Sequence, residues 1–373
     1  MEKIYAIWLL RIFGAGSKVS ATLCSYFGSF EEIYNAEEDE LSTIEALTPS
    51  NIEKMSDKNL EGAERVVNHC KTFGIDIVTF YDVQYPTGLK NIPDFPILLF
   101  VMGRLPENHE RLVAVVGTRK PSVYGTRMAD IFSTGLASAG VVVVSGMARG
   151  VDTVAHKAAL KVGGNTVAVL GCGIDIVYPP ENAELKNLIS KNGAVISEFL
   201  PGTSPKPSCF PVRNRIVSGM TEATLVVEGK PSSGSTITAE FARDQGRDVY
   251  CVPGNVDNPL SGAPNMMIRS GEARLVTCPE DIVCDMIGMK PEQITMFAET
   301  GGVGIESRHA RIEALPDDQR MIAEVLDSNI PKHIDKICFD CGLEISVINQ
   351  LVFMMEMDGV VKQLPGKNYI LAF

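Results

Sequence analysis

The amino-acid sequence predicts an α/β protein: a doubly wound, mostly parallel sheet of extended Rossmann-like type. A small helical domain of helix-hairpin-helix (SAM-like) type precedes it and a winged helix follows it. Three observations carry this expectation. Between Leu112 and Val252, short and continuously apolar runs alternate with helical stretches, the pattern of parallel strands buried on both faces. From Ile4 to Leu47 the apolar spacing is helical. After Asp317 come three helical stretches and then two strand-like runs flanking Pro365-Gly366-Lys367, which suits a β-turn. The expected boundaries are 1–70 for the helical domain, 71–283 for the α/β domain, 284–310 for a linker and 311–373 for the winged helix.

Taken in order, Phe13-Gly14-Ala15-Gly16-Ser17-Lys18 interrupts two helical stretches, and Ser29 has the chemistry of an N-cap for the helix that begins near Glu31. The amides of a helix-hairpin-helix turn can meet a DNA phosphate. The plainer alternative, favoured by the acidity of this segment, is a helical bundle packed on the next domain. Ile75–Phe80 and Pro96–Met102 read as lead-in strands of the central sheet, with Pro86, Pro93 and Pro96 marking the loop between them. The expected sheet continues with Leu112–Gly117, Val141–Val144, Thr166–Leu170, Ala194–Ser197, Thr224–Val227 and Asp248–Val252. Helices are expected near Gly125–Ala139, Asp152–Val162, Glu181–Lys191 and Ser235–Gln245. Cys284–Arg308 is aperiodic and reads as linker.

With 45% hydrophobic and 21% charged residues, the 373-residue chain has the material for ordinary globular cores in two or three domains. No apolar run approaches the roughly 20 residues of a membrane span. Met1–Arg11 lacks the basic start and cleavage site of a leader. Nine scattered cysteines read as reduced thiols, so a cytoplasmic protein is expected. Cys338 and Cys341 form a single CxxC with no second pair and no His in register, so neither a metal nor another cofactor is expected.

The formal charge of −12 argues against coating a duplex, but its distribution is uneven. Residues 1–110 hold 9 Lys and Arg against 17 Asp and Glu, and residues 282–373 hold 8 against 14. Residues 111–281 hold 17 against 15 and form the one segment that is not acidic.

In an open parallel sheet, ligands bind outside the carboxyl ends of the strands. Here those ends carry Gly117-Thr118-Arg119, Ser145-Gly146-Met147-Ala148-Arg149-Gly150 and Gly171-Cys172-Gly173. Glycines let amides approach a phosphate, and Arg119 and Arg149 add charge beside them. The alternative is that these are the tight turns of any such fold. The spacing is neither GxGxxG nor a P-loop. Phe210-Pro211-Val212-Arg213-Asn214-Arg215, read as a loop, joins an aromatic that can stack a base, guanidiniums that can hold phosphate and an amide that can read a base edge, with Lys206 just upstream. Against this, Arg213 and Arg215 could pair with internal carboxylates such as Glu198 or Glu228, and Phe210 could be core. Ser233-Gly234-Ser235 opens a helix and offers either a phosphate cradle or an N-cap. Asp152 and His156, four apart on one helix, suit a structural hydrogen bond better than metal or acid–base chemistry, because no third partner is evident. No set of nucleophile, base and orienting residue is seen, so no enzyme is expected.

Together these residues resemble the DNA-processing protein A family (DprA, also called Smf). The resemblance runs through AVVGTRKPSVYG at 114–125, SGMARGVDTVAHKAAL at 145–160 and TVAVLGCGIDIVYPPEN at 166–182. It continues through ISEFLPGTSPKPSCFPVRNRIVSGMTEATLVVE at 196–228, SGSTITAEFARDQGRDVYCVPG at 233–254 and NMMIRSGEA at 265–273. It departs at LSGAPN, 260–265, where the family more often has Ser-x-Gly-x-Asn. The resemblance implies a recombination mediator of natural transformation that binds and protects incoming single-stranded DNA, helps load RecA onto it, and forms a homodimer through the α/β domain. Carried over, the DNA pocket is Gly117, Thr118, Arg119, Lys206, Phe210, Arg213 and Asn214. Arg149 and Ser233, Gly234 and Ser235 are weaker candidates. The rival is a nucleotide-acting enzyme of the lysine-decarboxylase-like phosphoribohydrolase type: SGST followed by a helix with Glu240 resembles that family's PGGxGT-helix-Glu motif, with Ser-Ser in place of Gly-Gly. The expected third helix of the winged domain, Glu344–Met357, contains no Lys or Arg, so that domain is expected to bind protein or pack internally rather than read a duplex.

Overall fold

A computed structural model describes residues 1–231, 233–288, 312–313, 315–327 and 331–372. The chain divides into two compact units, Met1–Met289 and Lys290–Phe373.

The first unit is built on a nine-stranded sheet. Its strands are β1 (Asp76–Thr79), β2 (Leu98–Gly103), β3 (Leu112–Val116), β4 (Val142–Ser145), β5 (Thr166–Val169), β6 (Gly193–Ser197), β7 (Ala223–Val226), β8 (Asp248–Cys251) and β9 (Arg274–Leu275). The order across the sheet is β1-β2-β6-β5-β4-β3-β7-β8-β9. The strands from β6 to β9 run parallel, while β1 and β2 join antiparallel at one edge. Val113 pairs with Val143 on one side and Ala223 on the other, so β3 is central, and every residue of β3, β4, β5 and β7 is buried. That burial explains the continuous apolar runs: both faces are covered by helices. The chain winds from β3 toward β6 in one direction and from β7 toward β9 in the other. The strand order therefore reverses between β3 and β7, where a crevice opens at the carboxyl ends.

Six helices precede the sheet: α1 (Glu2–Phe13), α2 (Lys18–Tyr26), α3 (Phe30–Asn35), α4 (Glu38–Ser42), α5 (Pro49–Met55) and α6 (Glu61–Thr72). Ser17 caps α2 and Ser29 caps α3, each accepting from a backbone N–H three residues on. Ile7, Trp8 and Leu9 of α1 belong to the same apolar core as Leu99 and Val195 of the sheet. The Gly14–Ser17 turn faces inward: the Gly16 amide donates to the Glu198 carboxylate at 2.9 Å. This amide is engaged by the protein itself, in keeping with the packing alternative for the hairpin.

Between the strands lie α7 (Thr87–Lys90), α8 (Val123–Ser138), α9 (Val151–Lys161), α10 (Ala183–Asn192), α11 (Cys209–Gly219), α12 (Gly234–Asp244), α13 (Gly262–Arg269) and α14 (Pro279–Ile287). Two sequence expectations change here. Phe210–Arg215 is not a loop but the first turns of α11. Pro211 fits because the first turn of a helix needs no N–H at that position. The start of the expected linker is the end of α14 and its cap Gly288; residues 289–310 lie outside the described residues.

The second unit contains helices Asp317–Val325, Ile334–Cys341 and Ile345–Met357. Its sheet has three strands, β10 (Lys332–His333), β11 (Val361–Leu364) and β12 (Asn368–Leu371), in the order β10-β12-β11. The short β10 completes the winged-helix sheet and is not visible as a pattern in sequence. Ile322, Ile337, Ile348 and Met355 form the centre of its core.

Candidate functional site

Outside the carboxyl ends of β3, β4 and β7 lies an open cavity of about 540 Å³. Gly117, Thr118 and Arg119 follow β3 into its wall; Phe210, Arg213 and Asn214 enter from α11; Ser233, Gly234 and Ser235 enter from the start of α12. The volume suits one nucleotide or a little more, since small-ligand sites run from roughly 300 to 1,000 Å³. Lys206 does not line the wall; it is exposed between Pro205 and Pro207, which do. Arg149 lies in an adjoining recess, and its guanidinium is held by both oxygens of Glu181, so its charge is partnered. A hollow of similar size, about 490 Å³, opens near Asp76, Arg104 and Glu107, but it has no aromatic face and Arg104 pairs with Glu107 there.

The glycines have a packing role that sequence did not disclose. A Cβ on Gly117 would lie 2.6 Å from Val151 Cγ2, and one on Gly146 would lie 2.5 Å from the Arg213 guanidinium. The Thr118 amide already donates to the Glu228 carbonyl at 2.8 Å. The expected row of phosphate-binding amides after β3 is therefore at least partly taken up inside the fold. The Glu228 carboxylate accepts from Ser122, through N at 2.9 Å and Oγ at 2.6 Å, and pairs with neither arginine of α11.

The cations of α11 separate into two roles. Arg215 is 2% exposed and points away from the cavity, pairing with Glu198 at 2.6 Å and Asp94 at 3.5 Å. Burial pushes the Glu198 carboxyl up against the pull of Arg215. Arg213 is 4% exposed and donates to the carbonyls of Gly146 and Val169 at the ends of β4 and β5. Burial lowers its pKa to about 10, so it keeps its charge at neutral pH. It is a fixed cation in the cavity wall, with much of its hydrogen-bonding capacity spent on the protein.

Arg119 differs from both. It is exposed, no carboxylate lies within ion-pair distance among the described residues, and its guanidinium sits 5.2 Å from the centre of the Phe210 ring. Phe210 is half-buried, so one part of the ring packs and another faces the cavity. Helix α12 points its N-terminus at the same space, adding partial positive charge. At that end the Ser233 hydroxyl lies 2.7 Å from that of Ser235 and 3.2 Å from that of Thr236; the hydroxyls bond one another, and Ser235 is buried. Asn214 Nδ2 donates to the Gly234 carbonyl at 3.3 Å, joining α11 to α12 across the cavity.

Asp152 and His156 do not form the expected hydrogen bond with each other. His156 Nδ1 meets Thr166 Oγ1 at 2.7 Å, and Asp152 Oδ2 accepts from the Ala148 amide at 3.2 Å. Thr166 on β5 presents a hydroxyl directly to the imidazole, while the strand-end loop claims the carboxylate. Burial pushes Asp152 up to about 6, opposed by the nearby Arg213, and lowers His156 to about 3. Ser145 and Ser197 donate to the carbonyls of Val115 and Cys172. Glu240, the carboxylate of the segment that resembles the phosphoribohydrolase motif, is exposed and does not line the cavity. Among the described residues, no group of three or more His, Cys, Asp and Glu is placed to hold a metal. Nor is any single helix there long and apolar enough to cross a membrane. Sequence reasoning missed Tyr178, which lines the cavity with its ring centre 5.6 Å from that of Phe210. Its only sequence signal is an aromatic just beyond the turn that follows β5.

Comparison with known proteins fits this geometry. The profile of the family described as DNA recombination-mediator protein A matches residues 76–287, and that of the DprA winged helix domain matches residues 306–367. Protein Smf of Escherichia coli K12 is 46% identical over 284 residues, covering 76% of this chain and 74% of that protein. The X-ray structure of DNA processing protein A from Streptococcus pneumoniae superposes with a TM-score of 0.66 at 33% identity, covering 75% of this chain and 97% of that one. A structure described as giving the single-stranded DNA binding mode of DNA processing protein A from Helicobacter pylori shares the fold. Its TM-score is 0.51 at 24% identity, covering 57% of this chain and 96% of that one. The chain belongs to the DNA recombination-mediator protein A family.

Proposed function

We propose that this protein binds single-stranded DNA by taking a nucleotide into the β3/β7 cavity, and that it does so as a recombination mediator rather than as an enzyme. The observation that carries the reading is Arg119: an exposed cation with no carboxylate partner among the described residues, set beside a half-exposed aromatic at the point where the strand order reverses. A phosphate draws on Arg119, on the fixed charge of Arg213 and on the start of α12, while a base stacks on Phe210. Stacking of that kind is worth roughly 1–3 kcal/mol per base and tolerates any sequence. A duplex competes poorly, because its bases must leave the stack before one can enter a cavity.

The family's description as a DNA recombination mediator supports a cellular function of protecting incoming single strands and helping to load RecA onto them in natural transformation. The protein would then act in the cytoplasm as a homodimer formed through the α/β unit. Gel shifts with short single- and double-stranded oligonucleotides test the binding step. The parent protein should prefer single strands, Arg119→Ala should lose most of that affinity, and equal binding by both would overturn the pocket. The salt dependence should be shallow, with a log–log slope of roughly −0.7 per phosphate held. Release of free base from nucleoside monophosphates would instead establish the phosphoribohydrolase rival.

A further inference from the structure

We propose that Tyr178 is a second nucleobase platform, stacking the base next to the one on Phe210. The inference rests on the single-strand reading above and extends it to a residue outside the expected set.

Three observations support it. Tyr178 is half-buried and lines both the main cavity and the adjoining recess, so its ring faces the space between them. Its ring lies 5.6 Å from Phe210, centre to centre, at an angle of 34°, so the two rings make one stepped aromatic surface. Its hydroxyl makes no hydrogen bond among the described residues, so no polar contact of the fold accounts for a tyrosine here.

The strongest support, beyond these three, is how the surrounding loop is held. Lys186 is buried, and its ammonium donates to the carbonyls of Ile174 and Ile176. Burial lowers its pKa, which shows that placing it there works against its charge. Asn182, also buried, donates to the Met147 carbonyl at 3.2 Å and to Thr153 Oγ1 at 2.8 Å. Asp175 accepts the Gly202 amide with both oxygens, at 2.8 and 3.0 Å. Buried polar groups are costly unless their bonds are made. Two of them, Lys186 and Asn182, bind on either side of Tyr178, in a loop after β5 that leads to α10. A ring that only filled a gap in the core would need no such fixing. A ring that must receive a planar ligand gains from it, because preorganisation removes the cost of ordering on binding.

The test uses the full chain and two ligands: a ten-residue oligothymidylate and the same backbone made fully abasic. Tyr178→Leu should weaken oligothymidylate binding by about 5- to 100-fold and leave the abasic strand unaffected; Tyr178→Phe should match the parent on both. Undiminished oligothymidylate binding by Tyr178→Leu, or equal losses on both ligands, would overturn the proposal. Tyr178→Trp gives an independent readout that needs no loss of affinity. Its indole fluorescence should be quenched by oligothymidylate and not by the abasic strand, and an unquenched signal at saturation rejects the platform. Phe210→Leu, run in parallel, separates the two readings. If it too binds oligothymidylate undiminished, the pocket reading fails; if only the Tyr178 variants do, this inference fails alone.

Discussion

Helix α11 and the third helix of the winged domain, Ile345–Met357, are of similar length, 11 and 13 residues, and differ in what they offer a polyanion. The first turns of α11 bring Phe210, Arg213 and Asn214 to a cavity while Arg215 points inward to Glu198. The winged-domain helix holds the position from which a duplex reader enters a groove, yet it has no Lys or Arg. It exposes Phe353 by 66% and Met357 by 75%, and Phe339 on the preceding helix is 86% exposed. An apolar face of that kind suits a protein surface better than a phosphate backbone. The contrast teaches that the proposed grip on a single strand is marked by a local charge with no carboxylate partner among the described residues, set beside an aromatic face, and not by the motif name or the net charge of −12.

The strongest way to break that contrast is charge reversal at the pocket. Arg119→Glu removes a charge-assisted contact of about 1.5–3 kcal/mol and adds repulsion, so single-strand affinity should fall by roughly 100-fold or more. Fluorescence anisotropy with a labelled oligonucleotide reads this directly, and a small loss would place the DNA elsewhere. Phe210→Ala comes next, costing about 1–3 kcal/mol, whereas Phe210→Trp should retain affinity.

The contrast extends to stability, because the carboxyl and imidazole buried beside the cavity have no buried counterpart among the described residues of the winged domain. Asp152 has a folded pKa raised to about 6, so its contribution is full below the unfolded value near 3.9 and is lost as pH rises toward 6. His156 has a folded pKa lowered to about 3, so its contribution is full above about 6.5 and is lost as pH falls toward 3. Between about pH 4 and 6 the two slopes oppose, each approaching 1.4 kcal/mol per pH unit. Thermal melting of Asp152→Asn should therefore rise with pH more steeply than the parent's across that window. That of His156→Asn should fall instead; parallel profiles for all three proteins would refute the assignment. The smallest effect belongs to the winged domain: removing residues 311–373 should leave single-strand affinity nearly unchanged, and a large loss would dissolve the contrast.

Much of the fold was legible because its strands are buried on both faces and so appear as uninterrupted apolar runs, as in Leu112–Val116. The two-residue strands β9 and β10 were not, since they pair at sheet edges over too short a span to leave a period. Helix α11 was hidden by Pro211, a helix breaker everywhere except in the first turn. Around the cavity, residue types marked the strand ends that line it but could not assign partners. Arg149, Arg213 and Arg215 look alike in sequence. Only distances show that Glu181, two carbonyls and Glu198 claim them, leaving Arg119 exposed with no carboxylate partner among the described residues. Tyr178 was invisible for the same reason: its role depends on a ring that lies 32 positions away in the chain.

The Gly16 amide, the Glu198 carboxylate and the Arg215 guanidinium form a continuous polar chain from the N-terminal hairpin to the back of α11. The hairpin thereby acts as a stopper in the fold. If it were removed or replaced by a foreign helical pair, Glu198 would lose a donor, and water would reach an ion pair otherwise sealed from it. The register of α11, and with it the tilt of the Phe210 ring, would lose its fixed reference. Modular shuffling of this chain is thus constrained at one end: the N-terminal helices and the cavity wall built by α11 must be inherited together.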